Sequence, residues 1–370
     1  MLPFWGLYLR ERGFGLTEIG SLMAILMATK VIAPNIWGWI ADRTHKRLQV
    51  IRYGSVAAVV LFAGIFTEPG FWGVALVMAG FSFFWNAVMP QYEVLTLQHL
   101  GPATNQYSRI RVWGSVGFVL AVVGLGWYFE HFSIHWLPYV LILLLGLIAV
   151  ASFMVSKAEP ELESTAGGGG LRVFLKEVTQ PQSLLFFTVC FLMQISHGPY
   201  YTFFSIFLED FGYSKTAIGW LWALGVIAEI GIFMIVHQML SHLSTRFLSV
   251  LCLVITAARW WATGAYPDQP AVILIAQLGH AASFGIFHAL AIHNVNRFFS
   301  PKTAGQGQAF YSAFCFGAGG AAAAYLSGVV VESWGGSMAY FMAASVAVFA
   351  AVLSLFLATE VRRSKSAVAV

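Results

Sequence analysis

Glu229, Arg259, His280, His288 and Lys30 each fall inside a run of apolar residues long enough to cross a lipid bilayer. An ionisable side chain at bilayer depth costs about 2.5–3.5 kcal/mol on insertion scales, so it needs a partner or a wet cavity. At 100° per residue, Glu229 shares a helix face with Trp222 and Gly225, Arg259 with Cys252, Thr256 and Thr263, and His280 and His288 with Gln277 and Phe284. Glu93, with Asn86 and Pro90, ends one apolar run, while Arg111, with Ser115 and Phe118, begins the next. His197 and Tyr200 flank a break at Gly198-Pro199. The chemistry such a set supports is proton carriage by a carboxylate or an imidazole, and attraction of an anion by Lys30 and Arg259. Plainer roles fit the same pattern: a structural Glu229–Arg259 ion pair, packed histidines at 280 and 288, Glu93 solvated at its span end, and His197 and Tyr200 filling gaps in a core.

The elements that must position these residues are membrane helices. Of the 370 residues, 59% are hydrophobic and 10% charged, against roughly 45–50% and about 25% in soluble domains. About 20 apolar residues span the hydrocarbon core, and that rule predicts eleven spans at 17–40, 49–67, 71–94, 110–129, 136–155, 183–208, 216–239, 247–265, 271–296, 305–331 and 336–359, with a stub at 2–9. The connections leave no room for a soluble domain. No Gly-Lys-Ser/Thr phosphate loop, H-E-x-x-H or G-x-S-x-G motif occurs, which argues against an enzyme. Cys190, Cys252 and Cys315 lie in apolar runs without metal-ligand spacing, so neither a metal nor a cofactor is expected. A net charge of +4 gives no reason to expect nucleic-acid binding.

Placing the loops after the spans ending at 40, 94, 155, 239 and 296, together with the C-terminus, on one side puts fifteen Lys and Arg there against three opposite. The positive-inside rule makes that side cytoplasmic. Residues 13–31 and 212–230 repeat at an offset of 199: Gly13, Thr17, Ile19, Gly20, Leu22 and Ala24 meet Gly212, Thr216, Ile218, Gly219, Leu221 and Ala223. The chain therefore reads as two parallel halves: an N-terminal bundle over 1–155, a cytoplasmic linker over 156–182 containing Gly167 to Gly170, a C-terminal bundle over 183–360 and a cytoplasmic tail over 361–370. The same register makes Lys30 the symmetry mate of Glu229, and leads us to expect that about 16 residues of a first span are missing before residue 2.

Between spans 2 and 3, Gly38, Asp42, Arg43, Lys46 and Arg47 match the G-x3-D-R-x-x-[KR]-[KR] loop signature of the major facilitator superfamily, and two sets of six spans resemble it too. Physically, Gly38 would permit close helix approach, Asp42 would face a helix N-terminus near 305, and the basic residues would anchor at the anionic leaflet. Within the superfamily the chain looks like the lactose permease and 3-phenylpropionate transporter branch. The stretches that carry this are the opening LPFWGLYL, Arg109-Ile-Arg111-Val-Trp-Gly-Ser-Val-Gly117, Ser196-His197-Gly-Pro-Tyr200-Tyr201, the run at 219–233 and Ala258-Arg259-Trp260. The resemblance implies an all-α integral membrane protein of the major facilitator fold, with Glu93 and Arg111 at a sugar site and Glu229, Arg259 and His280 in a proton-coupling network. Two positions depart from lactose permease: Ser283 replaces its proton-carrying glutamate, and Phe118 its sugar-stacking tryptophan.

The resulting expectation is a monomeric inner-membrane symporter whose partners are protons, a small-molecule substrate and the bilayer. Proton coupling would fall to Glu229, His280 and Arg259, and the substrate cavity to Lys30, Glu93, Arg111, Phe118, His197, Tyr200, Trp222 and His288. Positive charge beside Trp113, Phe118, Trp222 and Tyr200 suits an aromatic carboxylate better than a neutral sugar. A sugar or nucleoside symporter, a proton-driven exporter and a non-transporting membrane protein stay open as alternatives.

Overall fold

The computed structural model describes residues 2–156 and 170–358. Residues 157–169 of the expected linker and the expected tail lie outside the described residues. Seventeen α-helices make up most of the described chain, with no strand among the described residues. They are α1 (Leu2–Glu11), α2 (Leu16–Thr44), α3 (Arg47–Phe62), α4 (Phe71–Leu100), α5 (Tyr107–His131), α6 (Leu137–Met154), α7 (Leu171–Val178), α8 (Pro181–Ser196), α9 (Gly198–Asp210), α10 (Lys215–Phe233), α11 (Val236–His242), α12 (Thr245–Ala265), α13 (Pro270–Leu278), α14 (Phe287–Phe298), α15 (Ala304–Tyr311), α16 (Gly320–Trp334) and α17 (Gly336–Ser354). Among the described residues, ten helical stretches are long and apolar enough to cross a membrane. The pair Leu171–Val178 and Pro181–Asp210, bent by 73°, makes an eleventh if counted as one span.

Local chemistry sets the boundaries. Ser214 and Ser244 accept hydrogen bonds from the backbone N–H of Ala217 and Phe247, capping α10 and α12. Pro181, Pro199 and Pro270 open α8, α9 and α13 within their first turn, where the missing N–H costs nothing. The repeat is visible in the turns as well. Gly13 and Gly212 adopt φ of +86° and +81°, a region open to glycine. Each ends its helix the same way: Phe14 N–H bonds Leu9 C=O at 3.2 Å, and Tyr213 N–H bonds Leu208 C=O at 3.1 Å.

The two halves meet where α1 lies on α9, α2 on α16 and α5 on α10. Glycines allow these crossings. A Cβ on Gly20 would sit 2.7 Å from Ala324 O and 2.9 Å from Gly328 Cα, and one on Gly219 would sit 2.6 Å from Val122 O and 3.3 Å from Gly126 Cα. Phe4, Leu22, Phe203, Trp222 and Ala324 join one apolar core that both halves share at this end. The opposite ends separate: residues 108–114 at the start of α5 are exposed. The result is a molecule closed at one end and open at the other.

Two spans contain a π-helical stretch. Ala281–Ile286 joins α13 to α14, and Ser312–Gly319 joins α15 to α16, each as a stretch of π-helix, a form associated with functional sites.

Candidate functional site

A cavity of about 360 Å³ opens between α2, α4 and the π stretch before α16, lined by Leu26, Lys30, Pro34, Phe81, Trp85, Asn86, Met89, Pro90 and Ser312. Its size lies at the small end of the roughly 300–1,000 Å³ typical of ligand sites. Lys30 is the one charged residue in that lining, and among the described residues no carboxylate lies within 4.0 Å of its amine. One wall is fixed by a polar chain from α4 to α2. Asn86 Nδ2 donates to Thr29 Oγ1 at 2.8 Å and to Leu26 O at 3.3 Å, and Thr29 Oγ1 donates to Ser82 Oγ at 2.8 Å. Phe81 and Trp85 stack with centroids 6.1 Å apart. Thr29, Ser82, Phe81, Trp85 and Ser312 were not legible as site residues: each is ordinary within an apolar helix, and only the α2–α4 crossing collects them.

The C-terminal half holds a second, buried constellation. Arg259 Nη1 donates to Ser283 Oγ at 2.5 Å and reaches His280 Nδ1 at 3.3 Å. His280 Nε2 faces Glu229 Oε2 at 3.8 Å. Because a guanidinium only donates, Nδ1 accepts and the imidazole proton sits on Nε2, aimed at Glu229. Glu229 and Arg259 are thus linked through His280 rather than paired directly. The Arg259 guanidinium stacks on Trp260 at 4.0 Å and over Tyr200 at 5.1 Å, while its Nε and Nη2 have no hydrogen-bond partner among the described residues. His280, Phe284 and His288 form a ladder of near-parallel rings, 5.5 and 5.6 Å apart, along the π stretch. His288 also meets the Tyr311 hydroxyl at 3.4 Å.

The remaining expected site residues distribute as follows. Tyr200 is buried, donates to Gln277 Oε1 at 3.1 Å and packs on Trp222, whose indole N–H donates to Ser205. His197 is buried edge-on against Trp260, its Nδ1 near Met193 O at 2.8 Å. Glu93 and Arg111 are exposed at the open end, both within electrostatic reach of Tyr107, with no ion pair between them. Arg111 of the N-terminal half also lies within electrostatic reach of Glu229. Phe118 is half-buried against the shared core. Lys30 and Glu229, symmetry mates in sequence, stand in separate constellations.

In the α2–α3 loop, Asp42 pairs with Arg47 at 2.5 Å, and Arg47 also donates to Gln91 on α4. The expected approach of Asp42 to the α15 N-terminus is not made, because the halves are apart at this end. Arg43 stacks over Trp39 at 5.6 Å, and Lys46 occupies the N-cap position of α3 without a side-chain hydrogen bond to it. Gly38 is not at a close crossing: a Cβ there would stand an ordinary 3.7 Å from Gln91. The tight approach of α2 belongs to Gly20.

A family model described as "MFS_1 like family" matches residues 1–343. Among curated relatives, the chain is 28% identical to a probable 3-phenylpropionic acid transporter of Escherichia coli (strain K12), covering 92% of this chain and 89% of that one. A maltose permease of Geobacillus stearothermophilus is 24% identical, covering 98% and 91%. A putative nucleoside transporter of Escherichia coli (strain K12) is 22% identical, covering 90% and 80%. Among solved structures, the nucleoside transporter NupG superposes with a TM-score of 0.84 at 18% identity, covering 96% of this chain and 94% of that chain.

Proposed function

The chain belongs to the MFS_1 like family and is a membrane transporter of the major facilitator type rather than an enzyme, and from that premise we propose that it imports an aromatic monocarboxylate together with protons. The observation that carries this reading is Lys30: the one cation in the lining of a cavity of about 360 Å³ shared with Phe81 and Trp85, with no carboxylate among the described residues to pair with it. A flat ring with a single carboxylate offers the two complements that such a cavity lacks, and the 3-phenylpropionic acid transporter among the relatives has that substrate class in its name.

Proton coupling belongs to the Glu229–His280–Arg259 relay. A proton taken by Glu229 breaks its attraction to the Nε2–H of His280, and the imidazole is then held only by Arg259 and the ring stack. Transport proceeds as the halves rock about the crossings and expose Lys30 to each side in turn, with ligands shifting the populations through differential affinity. By the distribution of Lys and Arg, the open end is cytoplasmic, and the protein sits in the inner membrane with a cytoplasmic C-terminus. Proteoliposomes with an imposed pH gradient test the reading. Accumulation of 3-phenylpropionate under an inward proton gradient, abolished by a protonophore, is expected. Equal efflux-driven loss would instead make the protein an exporter.

A second reading is favoured by the Asn86–Thr29 pair beside the Trp85 indole, which offers an amide and a stacking face to a sugar or a nucleobase. It is separated from the first by competition: maltose or uridine, and not arylcarboxylates, would then block uptake.

A further inference from the structure

At the closed end, two glutamates perform the same act on opposite sides of the molecule. Glu130, in the last turn of α5, accepts hydrogen bonds from the backbone N–H of Lys215 at 2.6 Å and Thr216 at 3.4 Å, at the start of α10. Glu332, in the last turn of α16, accepts one from the backbone N–H of Thr17 at 2.7 Å, at the start of α2. In each case the carboxylate comes from one half and the helix N-terminus from the other. The first N–H groups of a helix have no partner inside it and carry its positive pole, so each glutamate takes up backbone N–H groups that the cap from the helix's own half, Glu18 at Gly15 or Ser214 at Ala217, does not bond.

The arrangement obeys the internal symmetry. Leu16, Thr17 and Gly20 correspond to Lys215, Thr216 and Gly219 at an offset of 199, and Gly126 and Glu130 to Gly328 and Glu332 at an offset of 202. Each crossing is therefore a Gly-x3-Glu on one helix laid against an N-terminal turn and a glycine on the other. The four-residue spacing keeps the carboxylate on the face of its glycine, one turn further along. The glycines bring the backbones together: a Cβ on Gly126 would stand 2.6 Å from Lys215 O, and one on Gly328 2.8 Å from Leu16 O. The glutamates then bond across the gap that the glycines close.

We infer that Glu130 and Glu332 are positioning residues of the transport cycle, a matched pair of latches that hold this end shut and set the ratio between the two states of access. The inference rests on the alternating-access reading above. The latches exist only while the halves touch, since opening this end returns both helix ends and both carboxylates to water. Their surroundings differ. At the α2 end, Glu18 already accepts the Gly15 N–H at 2.9 Å, so Glu332 shares that end with a second carboxylate. At the α10 end, Ser214 caps Ala217, and the Lys215 amine is drawn off to Glu209 at 2.8 Å. Arg10 pairs with Glu209 and Asp210, and Asp268 lies within electrostatic reach of Tyr213 just before that helix end. Among the described residues no second carboxylate bonds a backbone N–H at the α10 end, which makes Glu130 the stronger of the two.

The test is the distance across this end, measured by spin-label pulsed dipolar spectroscopy on the full chain in lipid nanodiscs with labels at Thr67→Cys and Gln269→Cys. Both positions are exposed, and the native cysteines are buried. Removing a hydrogen bond to a charged group should raise the ratio of open to closed populations about tenfold for Glu130→Ala, less for Glu332→Ala, and roughly multiplicatively in the double variant. Glu130→Gln, which keeps the shape and one acceptor, should fall between, and Glu130→Asp should restore part of the closed population. Glu18→Gln, which removes the charge of a cap within one half, should not raise the open population. If the double variant retains its melting transition and its distance distribution matches the parent, the latch is refuted. If any alanine variant loses its melting transition, the Gln series decides by the same criterion. The distances need no substrate, so a failure of the carboxylate or proton assignment would show in uptake assays and leave this result standing.

Discussion

Replacing Lys30 by Met keeps the length and apolar stem of the side chain while deleting its charge, and it interrogates the carboxylate assignment directly. A carboxylate about 4 Å from the amine, in a half-open cavity with an effective dielectric near 20, gains roughly 4 kcal/mol of Coulomb attraction. Desolvation of both groups returns part of that, and net hydrogen bonds to charged partners come to about 1.5–3 kcal/mol. At about 1.4 kcal/mol per decade, Lys30→Met should weaken 3-phenylpropionate binding roughly 10- to 150-fold. The uncharged amide of the same acid should bind parent and variant alike, because Phe81, Trp85 and Asn86 are untouched. Thermal stabilisation of purified protein, which grows as the logarithm of ligand concentration over Kd, reads both ligands on both proteins. Lys30→Arg should retain the preference for the acid. If Lys30→Met binds the acid as tightly as the parent, or loses acid and amide equally, the cavity is not an anion site and the reasoning from its lone cation fails.

Glu229→Gln should abolish uptake driven by a proton gradient while leaving solute exchange across equal pH intact, and His280→Gln should impair both, because it removes the bridge to Arg259; counterflow and gradient-driven uptake measured side by side separate the two. Gly219→Ala and Gly20→Ala place a methyl 2.6–2.7 Å from a backbone carbonyl of the other half, so each should lower stability of the closed end by about 1–3 kcal/mol, read as a lower melting temperature in detergent, whereas Gly117→Ala, with nothing within 4 Å, should be neutral or slightly stabilising. Glu177, at the end of α7, ties that helix to the turn before α15: slight burial acts upward on its carboxyl, but hydrogen bonds from Thr303 and Ser300 outweigh it and hold the group below the usual carboxylate range. Stabilisation from a lowered carboxyl is present at neutral pH and disappears as pH falls through that lowered value, so parent and Glu177→Gln melting temperatures should differ at neutral pH and converge below about pH 4.

The spans were legible because hydrocarbon thickness imposes a length that composition reveals directly, and the eleven expected stretches fall within a few residues of the helices. The repeat was legible because Gly13 and Gly212 end helices at equivalent positive φ, a demand that few residues other than glycine meet. The partners of the charged residues were harder to read. Helical spacing put Glu229 and Arg259 on faces of α10 and α12, yet the link between them is His280, on a third helix. Nor could the spacing separate Lys30 in an open cavity from Tyr200 in a core, because in lipid both faces of a helix are apolar. Asp42 shows a third limit. Its expected partner lies across the open end, and which end is open belongs to the conformation and not to any local pattern.

The π stretches at Ala281–Ile286 and Ser312–Gly319 carry a consequence for any scanning experiment. A π turn accommodates an extra residue, so the helix beyond it is rotated by about one residue, or roughly 100°, relative to an unbroken wheel. Replacing residues 270–298 one at a time with a reactive cysteine would give one periodic pattern of labelling before Ala281 and a displaced one after Ile286. Fitted with a single wheel, such data would assign His288 and Asn294 to the wrong surface of their own span. Gap-free superposition of the two halves carries the same error: it slips at these points, because neither span 4 (Phe71–Leu100) nor span 5 (Tyr107–His131) contains a π stretch among its described residues.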